Sequence, residues 1–207
     1  MPRYYFSVRY LSSNADMRLL SGRCITALHY YLINNKPYDI GVSFPLWTDK
    51  TLGREIDFVC EGLDKLQKLR NCDYFSMMIR EGLFAVSDVD VVNEKGIVEV
   101  RFVRNQGIKK IFPGEMRRRL TRARKRAETR GEAFAPSKLA SPKEFGVFHS
   151  SFLGSSSTGQ SFMLHIQREI DRSCQREGVG SRIFNSYGLA TMQSHRGSVP
   201  QRLNQQE

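Results

Sequence analysis

Residues 4–34 read YYFSVRYLSSNADMRLLSGRCITALHYYLIN, and within them the apolar period changes from two to nearly four. Tyr4, Phe6, Val8 and Tyr10 fall on one side of an extended chain, the pattern of a half-buried strand. Beyond them Leu20, Cys24, Ala27, Leu28 and Tyr31 form one stripe at about 100° per residue, so a helix follows the strand. Ser12, Ser13 or Asn14 can cap its start, because a short side-chain oxygen satisfies a free backbone N–H there. Asparagines and a proline between Asn34 and Pro37 stop it.

Working outward, Ile40–Phe44 and Arg54–Val59 read as strands, and Leu63, Leu66 and Leu69 place a second amphipathic helix over 62–70. Tyr74–Arg80 fits another turn or strand, and Phe84–Val92 alternates as a strand. The order β-α-β-β-α-β is that of a ferredoxin-like domain over residues 1–96, the scaffold also used by RNA-recognition (RRM-like) modules. A turn at Asn93–Gly96 opens a second region, 97–190. There Val98–Val103 is a strand, Pro113-Gly114 introduces a helix over 114–130, and Gly131 can close that helix from the left-handed region. Residues 135–159 read as loops, and Phe162, Leu164 and Ile166 alternate as a strand. Residues 191–207 are polar and predicted mobile. The fold class expected is α+β: an N-terminal ferredoxin-like domain plus a C-terminal strand-and-loop domain carrying an arginine-rich helix.

That helix, MRRRLTRARKRAETR from Met116 to Arg130, concentrates the charge. Residues 101–135 hold 12 of the chain's 32 Lys+Arg and three of its 21 acids, whereas residues 36–100 hold 8 bases and 12 acids, so the net +11 is a local stripe. Met116, Leu120, Ala123 and Ala127 line up as a narrow docking strip, with Arg118, Arg122, Lys125 and Arg126 opposite. Arginine outnumbers lysine, which suits bidentate contact with phosphates or base edges. A solvated face is the bland alternative, but so one-sided a charge repels itself without a polyanion, and nucleic acid fits best.

Composition narrows the rest. No apolar run approaches the ~18 residues of a membrane span, and the N-terminus lacks the apolar stretch of a signal peptide, so a cytoplasmic protein without a membrane partner is expected. Cys24, Cys60, Cys72 and Cys174 are scattered without CxxC spacing or a nearby histidine pair, which favours reduced thiols and no metal site.

Candidate chemistry is thin residue by residue. His29 lies on the first helix roughly opposite its apolar stripe, where it is either a general base or a surface histidine complementing the helix dipole. The Gly154–Gln160 loop has hydroxyls and small residues, yet it reads equally as a flexible connector. Tyr187 is either an active-site phenol or a core residue with a polar tip.

Together these pieces carry more. Ala27-Leu28-His29, then Ile40-Gly41-Val42-Ser43-Phe44-Pro45, Arg104-x-Gln106, the arginine helix, Ser155-x-Ser157-Thr158-Gly159-Gln160-x-Phe162 and Tyr187-Gly188-Leu189 occur in one order. The set resembles the type I-F CRISPR repeat endoribonuclease (Csy-type) family over about residues 4–190. Gly41–Trp47 and Arg130-Gly131-Glu132-x-Phe134-x-Pro136 are more similar to its transposon-encoded branch.

The resemblance implies a metal-independent, cofactor-free cut at the 3′ base of a CRISPR repeat stem-loop. The ribose 2′-hydroxyl attacks the scissile phosphate and leaves a 2′,3′-cyclic phosphate. By the same resemblance His29 is the general base and Ser155 holds the attacking nucleotide, while Ser157 and Tyr187 shape the pocket and orient His29. Arg104 and Gln106 read bases low in the stem, and Phe162 stacks on the terminal pair. Arg117, Arg118, Arg119, Arg122 and Arg126 grip the stem, mostly through phosphates, because an A-form major groove is too narrow for ordinary side-chain reading. The implied partners are the CRISPR RNA stem-loop, the backbone and other subunits of a type I-F Cascade complex, and a TniQ-like transposition adaptor. The rivals are a non-catalytic hairpin-binding subunit of the same complex and a generic basic RNA-binding protein.

Overall fold

The computed structural model describes residues 2–94, 97–135, 144–154, 159–171 and 183–201. Strand β1 (Tyr4–Tyr10) is followed by helix α1 (Met17–Asn34), strands β2 (Gly41–Ser43) and β3 (Glu55–Cys60), helices α2 (Leu63–Arg70) and α3 (Asp73–Arg80), then β4 (Phe84–Val86) and β5 (Asp90–Val91). The strands order as β2-β3-β1-β4, every pair antiparallel, with β5 also on β1. This is the ferredoxin-like arrangement, in which each central strand, β1 and β3, runs on through helix into an edge strand, β2 and β4. Alternation on β1 buries Phe6, Val8 and Tyr10, and Phe6, Phe58 and Phe75 form an aromatic centre with centroids 5.0–5.9 Å apart.

Three local expectations are corrected. Asp16 caps α1, its Oδ1 accepting from the N–H groups of Arg18 and Leu19 at 2.9 and 3.3 Å, so the cap falls two residues beyond Asn14. Residues 73–80 are a helix, burying Phe75 and Met78 at a spacing that a turn or strand would not favour. The strand expected over 84–92 is broken between Val86 and Asp90, where Arg70 Nε donates to the Ser87 carbonyl at 2.7 Å.

A second sheet orders as β10-β6-β8-β7, from β6 (Val98–Arg104), β7 (Phe148–Gly154), β8 (Ser161–Ile170) and β10 (Val199–Gln201), with β9 (Ala190–Thr191) parallel to β6. Strand β7 lies inside the stretch read as loops. Its Ser, Gly and His content hides it, but it pairs residue for residue with β8 and packs on α1. Helix α1 therefore has two buried faces, and Ser21 and Gly22 are buried as fully as Cys24 and Leu28. Ser21 Oγ lies 2.8 Å from Ser151 Oγ, and a Cβ on Gly22 would sit 1.9 Å from the Phe152 carbonyl oxygen. Residues 191–201 are not free either: β10 pairs with β6 and Val199 is buried, because backbone pairing compensates for their polar composition. Phe44, Trp47 and Phe102 join the two sheets, with centroids 5.1–6.3 Å apart.

Between β6 and β7 runs a 3-10 helix (Gln106–Ile111) and then α4 (Pro113–Thr129), within a residue of the span expected. Its docking strip is smaller than expected. Ala127 is buried and Met116 half-buried, but Leu120 is 41% exposed and Ala123 is exposed. Among the described residues, α4 packs chiefly on the 3-10 helix before it. Its charge leaves little apolar surface to bury along its length. No helix among the described residues is long and apolar enough to cross a membrane.

Candidate active site and nucleic-acid interface

His29 sits on α1 at the margin of the buried arc, half-buried, and faces the segment 184–189. That segment is a turn built by Asn185, whose Oδ1 accepts from the N–H groups of Tyr187 and Leu189 at 2.8 and 3.3 Å. Gly188 completes it at φ +70°, where a Cβ would also meet Leu28 Cδ2 at 2.5 Å. The Gly188 carbonyl accepts from Val42 N at 2.8 Å, which ties the turn to β2.

The turn delivers two contacts to His29. The Ser186 carbonyl lies 3.1 Å from Nδ1, and a carbonyl only accepts, so Nδ1 carries the proton. In the neutral ring Nε2 then holds the lone pair, the tautomer a general base needs. The Tyr187 ring stacks on the imidazole, 4.5 Å between centroids and 14° between planes. Arg104, on the last position of β6, holds its guanidinium 4.9 Å from the centre of the same Tyr187 ring. Phe162 on β8 meets that ring edge-on at 6.4 Å and 72°.

The fold thus brings together His29, Tyr187, Arg104 and Phe162, drawn from α1, the 184–189 turn, β6 and β8. Gln106 joins them through Arg104, its amide oxygen accepting from Nη2 at 2.7 Å and Nε at 3.3 Å. Burial lowers the Arg104 pKa from its usual value, opposed by interaction with Tyr187. Its contacts are a ring face and an amide, leaving its positive charge without an acidic partner among the described residues. Ser155 and Ser157 lie outside the described residues. Sequence reasoning missed the Ser186 carbonyl and Asn185, although Asn-x-x-Gly is a turn signal that could have located both. Among the described residues, no group of three or more His, Cys, Asp and Glu side chains is placed to hold a metal ion.

Arg117, Arg118, Arg119, Arg122 and Arg126 are all exposed on α4 and form a separate surface. Glu115 approaches Arg118 at 3.8 Å and Glu128 pairs with Arg124 at 3.0 Å. Among the described residues Arg117, Arg119, Arg122 and Arg126 have no acidic partner, so the helix presents a net positive face. Such a projecting, unneutralised row can engage successive phosphates of a nucleic-acid backbone.

The family model described as "CRISPR-associated protein (Cas_Csy4)" matches residues 5–201. No curated protein matches the chain. Among solved structures, one titled "CRISPR associated protein Cas6" is 10% identical, covering 96% of this chain and 98% of its own, with a TM-score of 0.36. Another, "An RAMP protein binding different RNA substrates", is 14% identical over 97% and 99% at 0.34. A third, "Crystal structure of CRISPR RNA processing endoribonuclease Cas6b", is 13% identical over 83% and 89% at 0.30.

Proposed function

The chain belongs to the Csy4 family of CRISPR-associated proteins, and on that premise we propose that it is a metal-independent, stem-loop-specific endoribonuclease that processes CRISPR repeat transcripts. The observation that carries this reading is the hydrogen bond from His29 Nδ1 to the Ser186 carbonyl, which leaves Nε2 free to accept a proton. In the proposed reaction Nε2 takes the proton of the ribose 2′-hydroxyl upstream of the scissile phosphate. The 2′-oxygen forms its bond to phosphorus as the bond from phosphorus to the 5′-oxygen breaks, and that leaving oxygen takes up a proton. The products are a 2′,3′-cyclic phosphate and a 5′-hydroxyl.

General-base action contributes about 10²–10⁴-fold, so holding the hydroxyl in line supplies much of the remainder. Ser155 is the proposed holder of the attacking nucleotide, with Ser157 beside it and Tyr187 fixing the base. Arg104 and Gln106 are proposed to read bases at the foot of the stem, Phe162 to cap the terminal pair, and the α4 arginines to grip phosphates. The protein then keeps the 3′ hairpin of the mature guide as a subunit of a type I-F RNA-guided DNA-targeting complex. On the Gly41–Trp47 and 130–136 segments we read the chain as a member of the transposon-encoded branch, with a TniQ-like adaptor as a neighbour.

Incubating the protein with a repeat stem-loop RNA in EDTA tests the reading. The expected product is a fragment ending in a 2′,3′-cyclic phosphate at the base of the stem. Tight binding without any cut would instead assign the chain as a non-catalytic hairpin-binding subunit. A cut that appears only after magnesium is restored would overturn the mechanism.

A further inference from the structure

We propose that His165 is the seat of the arginine helix, a positioning residue that aims α4 at the RNA. The inference rests on the hairpin-gripping role given to α4 above. Helix α4 packs chiefly on the 3-10 helix before it, leaves Leu120 exposed and buries Ala127 in its last turn, so the joint at its N-terminal end helps to set its direction. The residue at that end is Phe112, in the N-cap position, and its ring lies on the His165 imidazole at 5.4 Å and 21°.

His165 is built to receive that ring. It is 4% exposed on β8, Ser150 Oγ lies 2.8 Å from its Nδ1, and Phe148 meets it edge-on at 5.8 Å and 87°. A side chain held on two sides cannot turn, so the face it offers Phe112 is fixed. The start of the 3-10 helix is tied to the same strand. Asn105 N donates to the His165 carbonyl at 3.0 Å, and Asn105 Nδ2 donates to Gln167 Oε1 at 2.6 Å. The segment leading into α4 is therefore pinned to β8 at Asn105 and rests on it again at Phe112. Nothing in this joint touches His29, which is positioned by α1 and the 184–189 turn. The joint governs grip and leaves the chemistry alone.

The test uses the full chain and a fluorescent repeat stem-loop RNA, with dissociation constants at several salt concentrations and single-turnover cleavage at saturating protein. His165→Ala is expected to weaken binding about three- to tenfold, the range an aromatic stack supplies. It should also flatten the log–log salt slope, while the saturated cleavage rate stays within about twofold of wild type. His165→Phe, which retains the stack, restores both binding and slope. Wild-type binding by His165→Ala overturns the proposal, as does a His165→Phe protein impaired as much as His165→Ala. Should His165→Ala fail to fold, Phe112→Ala removes the same stack from its exposed side: the same loss supports the seat, and unchanged binding overturns it. A wild-type protein that does not bind the stem-loop overturns the RNA reading itself, before any variant is compared.

Discussion

The imidazole of His29 lies nearly parallel to the ring of Tyr187, 4.5 Å between centroids, while its Nδ1 meets the Ser186 carbonyl at 3.1 Å. Neighbouring residues of one turn thus fix two different things: Ser186 sets which nitrogen is protonated, and Tyr187 sets the plane of the ring. A base held in this way loses little by reorganising when substrate arrives.

The stack calls for an aromatic ring, and none of its geometry involves the phenol oxygen. Tyr187→Phe should cleave a repeat stem-loop within about twofold of wild type, whereas Tyr187→Leu should lose about three- to tenfold in single-turnover rate. Equal losses in the two variants would move the role from the ring to the hydroxyl.

Arg118 and Arg122 are exposed on α4, Arg118 with a long contact to Glu115 at 3.8 Å. Removing each should weaken stem-loop binding and reduce the log–log salt slope by up to about one per lost phosphate contact. Titrations of Arg118→Ala, Arg122→Ala and the double variant at several salt concentrations check this. An unchanged slope in the double variant removes α4 from the interface.

Gly22 is where α1 meets the backbone of β7, and a Cβ there would lie 1.9 Å from the Phe152 carbonyl oxygen. Gly22→Ala must push helix and strand apart, at a cost of about 1–3 kcal/mol or more. Urea unfolding measures it, and a variant as stable as wild type would contradict the close approach.

Burial lowers the His165 pKa from its ordinary value of 6.5, with Lys109 on the 3-10 helix adding in the same direction. As pH falls through about 6.5, unfolded chains take up a proton that the folded protein resists, so stability held above that pH is lost below it. In His165→Phe this loss is absent, and its urea midpoint should drop less than that of wild type between about pH 7.5 and pH 5.5. Equal drops would show that His165 titrates alike in both states.

The ferredoxin-like half was legible because its strands and helices announce themselves by local periodicity, as Phe6, Val8 and Tyr10 do on β1. The second face of α1 was not, since Ser21 and Gly22 carry no apolar signal and are buried only because β7 covers them. Strand β7 itself has partners only at a distance in sequence, in β8 and α1. Helix α4 was found by its charge, but its apolar strip was over-read: Leu120 and Ala123 share a helical face with Met116 and Ala127, yet no element covers them among the described residues. At the site, His29 and Tyr187 carried recognisable surroundings in sequence. The Ser186 carbonyl, being backbone, left no side-chain signature.

The most direct test of the account is His29→Ala assayed twice on one repeat stem-loop, for binding and for single-turnover cleavage at saturating protein. A general base at His29 calls for a dissociation constant within about threefold of wild type and a cleavage rate lower by about 10²–10⁴-fold, the usual share of such a group. Cleavage by His29→Ala at the wild-type rate would contradict it.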